Sequence, residues 1–475
     1  MGKQHKKKYP EENAAEEMEE LAQEAETEDE YTYEDDEEQQ DPDERRALRR
    51  RRRIRNQVIV YLVIFVVLAG ITAGGVAAGR RVALRIQDKK QEEALEKELE
   101  EAAKEEEEKE ELVIQTPEPV EEEPVEEDFL GGLATSYYSE MSIEDKVAGL
   151  FMVTPEAITG VRKATQAGDG TQEALNQYAV GGLIYFSQNI VDKEQIMEML
   201  SSTTTKSNYP IFLAVDEEGG EISRVANSSI EVEKVESMSA IGAGGDAAKA
   251  LEAGETIGSY LKELGFNVDF APVADVAAGE DSALGDRAFG SDPQLVKDMV
   301  SNMVGGIEGT GVSACLKHFP GLGSTTEDTH EGRVEITKSL EEMQASDFVP
   351  FQAGIEAGVD FVMVSHATAP ALDDNNVPSS LSRKVITDTL RGELGFQGVI
   401  ITDALNMTAI TDYYTPEEAA VMAIEAGADM LLMPEDFEKA YAAVLAAVQE
   451  GKITEERIDE SLERIYRVKC AGKLE

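Results

Sequence analysis

Cysteine is nearly missing. The 475 residues hold two, Cys315 and Cys470, too far apart in the chain to suggest a disulfide framework or a thiolate metal site. Histidine is scarce too, four in all, and two of them, His318 and His330, fall within one short stretch. Basic residues are few beside acidic ones, 44 Lys and Arg against 96 Asp and Glu, which leaves a formal net charge of −52. Acidity on that scale argues against nucleic acid as a partner. Residues 11–44 and 87–128 carry much of the acid with almost no aromatic core residues. Such segments bury too little apolar surface to offset chain entropy. Also absent are a G-x-G-x-x-G string opening the first globular unit and a cysteine after the apolar run that could take a lipid.

One long apolar run is present. Residues 57–79 (QVIVYLVIFVVLAGITAGGVAAG) hold no charge in 23 residues, and a bilayer core of ~30 Å needs roughly 20 apolar helical residues. Eight arginines lie just before it (RRALRRRRRIR), against Arg80, Arg81 and Arg85 just after. The positive-inside rule then predicts a single-pass cell-membrane anchor over 56–80, with the tail 1–55 cytoplasmic and the rest extracytoplasmic. A cleaved signal peptide is disfavoured, because both the leader and the apolar run are too long for one. Residues 81–128, a Glu-rich helical segment followed by TPEPVEEEPVEED, are expected to form a stalk.

From residue 129 to 475 the composition is globular. Eight short apolar runs recur at 149–153, 182–186, 211–215, 268–273, 312–316, 360–364, 398–402 and 429–433, with helix-like segments between most of them. Continuous apolar strands alternating with amphipathic helices predict buried parallel strands, and eight in about 300 residues predict an α/β fold of the (β/α)8 TIM barrel type. In such a barrel the site lies at the C-terminal ends of the strands. Polar residues sit at that end of five consecutive units: Asp216 to Gly220 with Arg224, Gly285 to Phe289 with Arg287, Lys317-His318, Ser365-His366, and Asp403. Singly these would be solvated surface charges, and Asp403 could be a helix N-cap; together they predict a site. The loop after Lys317-His318 ends in Asp328-Thr329-His330, a spacing that lets the carboxylate hold the ring. The turn GLGSTT lacks the Lys-Ser/Thr ending of a phosphate cradle.

The strings AVDEEGGEISRV, LGDRAFG, KHFPGLG with Asp328-Thr329-His330, and ITDALNM, in that order along the chain, resemble glycoside hydrolase family 3, and within it the single-domain bacterial β-N-acetylglucosaminidases. The resemblance runs from Met141 to about Lys469; Leu322 stands where the family usually has histidine, and Ala404 replaces a frequent second aspartate. It implies a retaining glycosidase without metal or cofactor, in which Asp403 is the nucleophile, His330 the acid/base and Asp328 its orienting partner. Asp216, Arg224, Arg287, Lys317 and His318 would bind the sugar, with Gly219-Gly220 letting the backbone approach it. His366 is read as structural or as supporting the site. The loop bearing His330 is expected to close over substrate. The implied substrate is an amino-sugar glycan, such as a cell-wall fragment. A β-glucosidase, a phosphorylase on the same nucleophile, or an inactive sugar-binding module stay open, and nothing in the sequence speaks to an oligomeric state.

Overall fold

The computed structural model describes residues 128–279, 282–325 and 332–471. The expected tail, membrane anchor, stalk and the Asp328–His330 triplet lie outside them. Among the described residues no helix is long and apolar enough to cross a membrane.

The strands are β1 (Phe151–Val153), β2 (Gly182–Tyr185), β3 (Phe212–Val215), β4 (Glu217–Gly219), β5 (Ile222–Ser223), β6 (Val268–Asp269), β7 (Ser313–Phe319), β8 (Phe361–Val364), β9 (Val399–Thr402) and β10 (Leu431–Leu432). Eight of them form one parallel sheet in the order β10-β1-β2-β3-β6-β7-β8-β9. The sheet all but closes on itself, because Ile401 bridges Met430 and the Thr402 N–H reaches the Met430 carbonyl at 3.1 Å. Each of the eight apolar runs contributes one of these strands. The fold is thus α/β with a nearly closed eight-stranded parallel barrel, consistent with the TIM type. Both faces of the strands are buried, as parallel sheets covered by helices require.

The helices form for local reasons. Asp192, Asp246 and Asp292 each accept a first-turn N–H at the helix that follows, and Pro293 and Pro416 occupy first-turn positions where no N–H is needed. Helix Ala247–Leu264 ends on Gly265 in the left-handed region, and Pro416–Ala426 on Gly427. Helix Phe129–Tyr138 packs against Glu455–Ala471, with Tyr137 stacked on Tyr466 at 5.4 Å.

Two features depart from the simple alternation. β7 does not end at Leu316 but continues through Lys317-His318 to Phe319, and it gains one residue on β8 between the Leu316–Val362 and Phe319–Val364 pairs. This bulge allows two consecutive polar side chains to face the same end of the barrel. β4 and β5 form a small antiparallel hairpin just after β3. Gly219 and Gly220 sit at φ 91° and 60°, and a Cβ on Gly220 would lie 2.9 Å from Ser237 Cα. These glycines therefore turn the hairpin and admit the 235–237 backbone rather than a ligand.

Close backbone approach makes a testable contrast. A Cβ on Gly181 would fall 2.0 Å from the Gly149 carbonyl oxygen, between the starts of β1 and β2, whereas one on Gly132, inside a helix, meets nothing within 4 Å. Gly181→Ala should cost about 2–3 kcal/mol in chemical denaturation. Gly132→Ala should stabilise by about 0.5–1 kcal/mol.

Candidate active site

β3, β6, β7 and β9 deliver their polar residues to one cavity of about 320 Å3 at the C-terminal end of the barrel. That is at the small end of ligand clefts, roughly 300–1,000 Å3. Asp216, Arg224, Arg287, Lys317, His318 and Asp403 all line it.

The Lys317 ammonium lies at the centre, 97% buried, 2.9 Å from Asp216 Oδ1 and 2.6 Å from Glu218 Oε1. Arg287, on the short 3-10 turn Gly285–Arg287, grips Glu218 with two parallel bonds of 2.8 Å from Nε and Nη2. Burial opposes the Glu218 charge, but Lys317 and Arg287 outweigh it and hold the carboxyl down to about 2. Burial likewise opposes the Lys317 charge, and Asp216 and Glu218 more than restore it. Arg224 reaches Asp216 Oδ2 at 3.6 Å and stands over the Phe186 ring at 5.7 Å. Its Nε is buried with no partner among the described residues, a donor available at the cavity wall.

His318 is oriented by Asp275. Asp275 Oδ2 accepts the His318 backbone N–H at 3.0 Å and its Nδ1–H at 2.8 Å, while Oδ1 accepts the Leu322 N–H at 2.6 Å. The other ring nitrogen, Nε2, lies 3.5 Å from Arg287 Nη2, which can only donate. The network thus assigns the Nδ1–H tautomer.

Asp403 follows β9 directly, half-buried, its backbone N–H bonded to the Val364 carbonyl at 2.9 Å and its Oδ1 to the Ala404 N–H at 2.8 Å. Burial would raise this carboxyl, but the His366 and His318 rings, the Ala404 N–H and Lys317 hold it below the usual carboxylate range. An ionised carboxylate facing a cavity is available as a nucleophile. His366 does not line the cavity. It is fully buried, with Nε2–H donating to the Ala404 carbonyl at 2.9 Å and Nδ1 paired with the Ser380 hydroxyl at 2.7 Å. It positions the segment that carries Asp403.

From sequence, Glu218 stands only as part of the string Asp216 to Gly220, with no role of its own, and Asp275 is not anticipated. For Glu218 a signal exists: it lies two residues after Asp216, and in an extended segment such residues share a side. Asp275 had only its place just after an apolar run. Glu217, the neighbour of Glu218, points away into the protein, accepting N–H groups of Val225 and Ala226 at 2.7 and 2.8 Å and the Tyr260 hydroxyl at 2.8 Å. That carboxylate pins the hairpin. Leu322 and Met407 supply apolar wall. Among the described residues no three His, Cys, Asp or Glu side chains gather as a metal site.

Comparison with known proteins places this geometry. The family profile described as "Glycosyl hydrolase family 3 N terminal domain" matches residues 142–468. The chain is 33% identical over 327 residues to beta-hexosaminidase A of Pseudoalteromonas piscicida, covering 62% of this chain and 54% of that protein. It is 35% identical over 276 residues to a beta-hexosaminidase of Stenotrophomonas maltophilia, covering 57% of this chain and 81% of that one. The chain thus spans about half the length of the first relative and most of the second. Among solved structures, a glycoside hydrolase family 3 beta-N-acetylglucosaminidase from Paenibacillus superposes with a TM-score of 0.66 at 36% identity, over 70% of this chain and 63% of that one.

The Lys317 cluster predicts a pH signature. A depressed carboxyl contributes stability that is fully present above its unfolded value of 4.5 and is lost as pH falls toward about 2. Glu218→Gln should therefore lower the unfolding free energy by about 3–5 kcal/mol at pH 7, where the buried Lys317 and the half-buried Arg287 lose their shared partner. In acid denaturation series the gap to the parent should narrow between those two pH values. A gap that is constant with pH would show that the Glu218 charge does not carry it.

Proposed function

The chain belongs to glycoside hydrolase family 3, and from that premise we propose that it is a retaining exo-β-N-acetylhexosaminidase. Its substrate would be terminal β-linked N-acetylglucosamine on peptidoglycan fragments or related glycans. The observation that carries this reading is the ionised Asp403 at the end of β9, facing a small cavity ringed by Asp216, Arg224, Arg287, Lys317 and His318. The names of its relatives, beta-hexosaminidase and beta-N-acetylglucosaminidase, support the amino-sugar substrate. The cavity's size suits one sugar ring better than a chain of them, which supports exo action.

The chemistry follows from charge. Cleavage of a glycosidic bond builds positive charge at the anomeric carbon, and an anionic Asp403 is able to attack it and form a covalent glycosyl-enzyme. The paired cations and carboxylates around Lys317 offer fixed donors and acceptors to the ring hydroxyls, and fixed partners need no reorganisation as the bond breaks. The leaving oxygen needs a proton, and the released site then needs water deprotonated. His330 performs both steps in turn, oriented by Asp328. Both residues lie outside the described residues, in the sequence between Thr325 and Gly332. The run 57–79 anchors the protein in the cell membrane with residues 129–475 outside, which would bring the barrel to wall-derived glycans.

Hydrolysis of an aryl β-N-acetylglucosaminide, followed by proton NMR, tests the reading: β-configured sugar should appear first. An equal or higher rate on the β-glucoside, or a sugar 1-phosphate formed when phosphate is added, would favour the glucosidase or phosphorylase instead. The two catalytic roles separate by leaving group. Asp403→Ala should abolish turnover of every substrate. His330→Ala should lose ~10²–10⁴-fold on a disaccharide, yet keep the first step on a dinitrophenyl glycoside, seen as a burst that azide converts into steady turnover. Equal losses on both substrates with no azide effect would remove His330 from the acid/base role.

A further inference from the structure

The floor of the barrel, where β9 and β10 begin, carries a second charged cluster. Asp429 is fully buried there. Its Oδ2 accepts the Ile400 N–H at 2.9 Å and a guanidinium N–H of Arg391; its Oδ1 accepts the Ser461 hydroxyl at 2.8 Å and Arg464 Nη1 at 3.1 Å. Arg457 reaches the same spot, donating to Ser461 Oγ at 2.6 Å and to the Ala428 carbonyl at 2.8 Å. One carboxylate therefore faces three guanidiniums. Burial, and then repulsion from Arg464 and Arg457, brings Arg391 down to about 10 in spite of Asp429. Arg457 is lowered as well, with burial again the main cause.

A cavity of about 630 Å3 opens over this cluster, with Arg383 and Lys452 on its walls beside the three guanidiniums. Only two carboxylates line it, Glu425 and Glu460, and Glu425 lies 3.4 Å from Lys452. A cationic excess in a chain of net charge −52 is against the trend of the whole molecule. The donors are also not used up. All the hydrogen bonds of Arg464 come from Nη1, and the Arg383 side chain has no partner among the described residues. Thr454 lines the cavity just ahead of helix Glu455–Ala471, so the positive end of a 17-residue helix adds to the same field.

We propose that this cavity binds a small multivalent oxyanion of the phosphate type, held by Arg383, Arg457 and Arg464, and that the anion ties helix Glu455–Ala471 to the barrel floor. A tetrahedral anion with two or more charges matches the excess and offers acceptors to several guanidinium forks at once. The site is separate from the Asp403 cavity, because it lies where the parallel strands start and the other lies where they end.

The test is thermal unfolding of the full chain, followed by circular dichroism, with inorganic phosphate titrated at constant ionic strength against chloride. Phosphate should raise the midpoint by a few degrees in a saturable way, as a ligand of the folded state must. Arg383→Glu, which breaks no bond within the protein, should weaken phosphate about tenfold or more and leave glycoside hydrolysis without phosphate unchanged. Arg287→Gln should leave the phosphate effect intact. The proposal is overturned if phosphate gives no saturable rise beyond chloride, or if Arg383→Glu keeps the full rise. It is equally overturned if Arg287→Gln alone abolishes the rise, which would put the anion in the catalytic cavity. None of these outcomes depends on which glycoside the enzyme cleaves.

Discussion

A buried ammonium between two carboxylates is the constraint on which the catalytic end depends. Taking one ion out of water costs several kcal/mol even after relaxation, so Lys317 is tenable only because Asp216 and Glu218 lie within 2.9 Å. Glu218 in turn is tenable only with Arg287 on its other side. The segments that follow β3 and β6 and the end of β7 itself are thereby fixed to one another by charge. A group set held this way has directional donors and acceptors already in place, which is what recognition of a polyhydroxylated ring requires.

The two ends of the barrel treat charge differently. Around Lys317 the cations and carboxylates balance, and the pair around His318 is a closed circuit of Asp275, the imidazole and two backbone N–H groups. Around Asp429 they do not balance. The same fold thus carries a charge-matched cavity at one end, fit for neutral polar ligands, and a cation-rich one at the other.

Much of the fold was legible in the sequence because each barrel strand is a short apolar run, and such runs survive any error in their boundaries. The site was legible in part. Asp216, Arg224, Arg287, Lys317, His318 and Asp403 share one cavity, since each ends an apolar run or lies in the connection that leaves it at the same end of the barrel. The role of Glu218, and Asp275 altogether, were missed because their meaning lies in partners far along the chain, Lys317 at 99 residues from Glu218 and His318 at 43 from Asp275. The continuation of β7 through Lys317-His318 was hidden for a related reason. Two adjacent polar residues look like the end of a buried strand, and only a bulge reconciles them with continued pairing. The hairpin glycines illustrate the converse: Gly-Gly marks a backbone need, but not whether a turn, a neighbour or a ligand causes it.

Glu217 shows how far the site extends beyond the groups that meet a substrate. Its carboxylate joins the turn that follows the hairpin, at Val225 and Ala226, to Tyr260, on helix Ala247–Leu264 outside the barrel. The strand-end motif is therefore not a portable cassette. Grafted onto a different barrel without an outer tyrosine at the matching height, the string Asp216 to Arg224 would bring along an acid with nowhere to go, and the loop would refold around it. Exchange of substrate preference among such barrels is easier where the wall is side chain only, as at Leu322 and Met407, than in the strand that carries this acid.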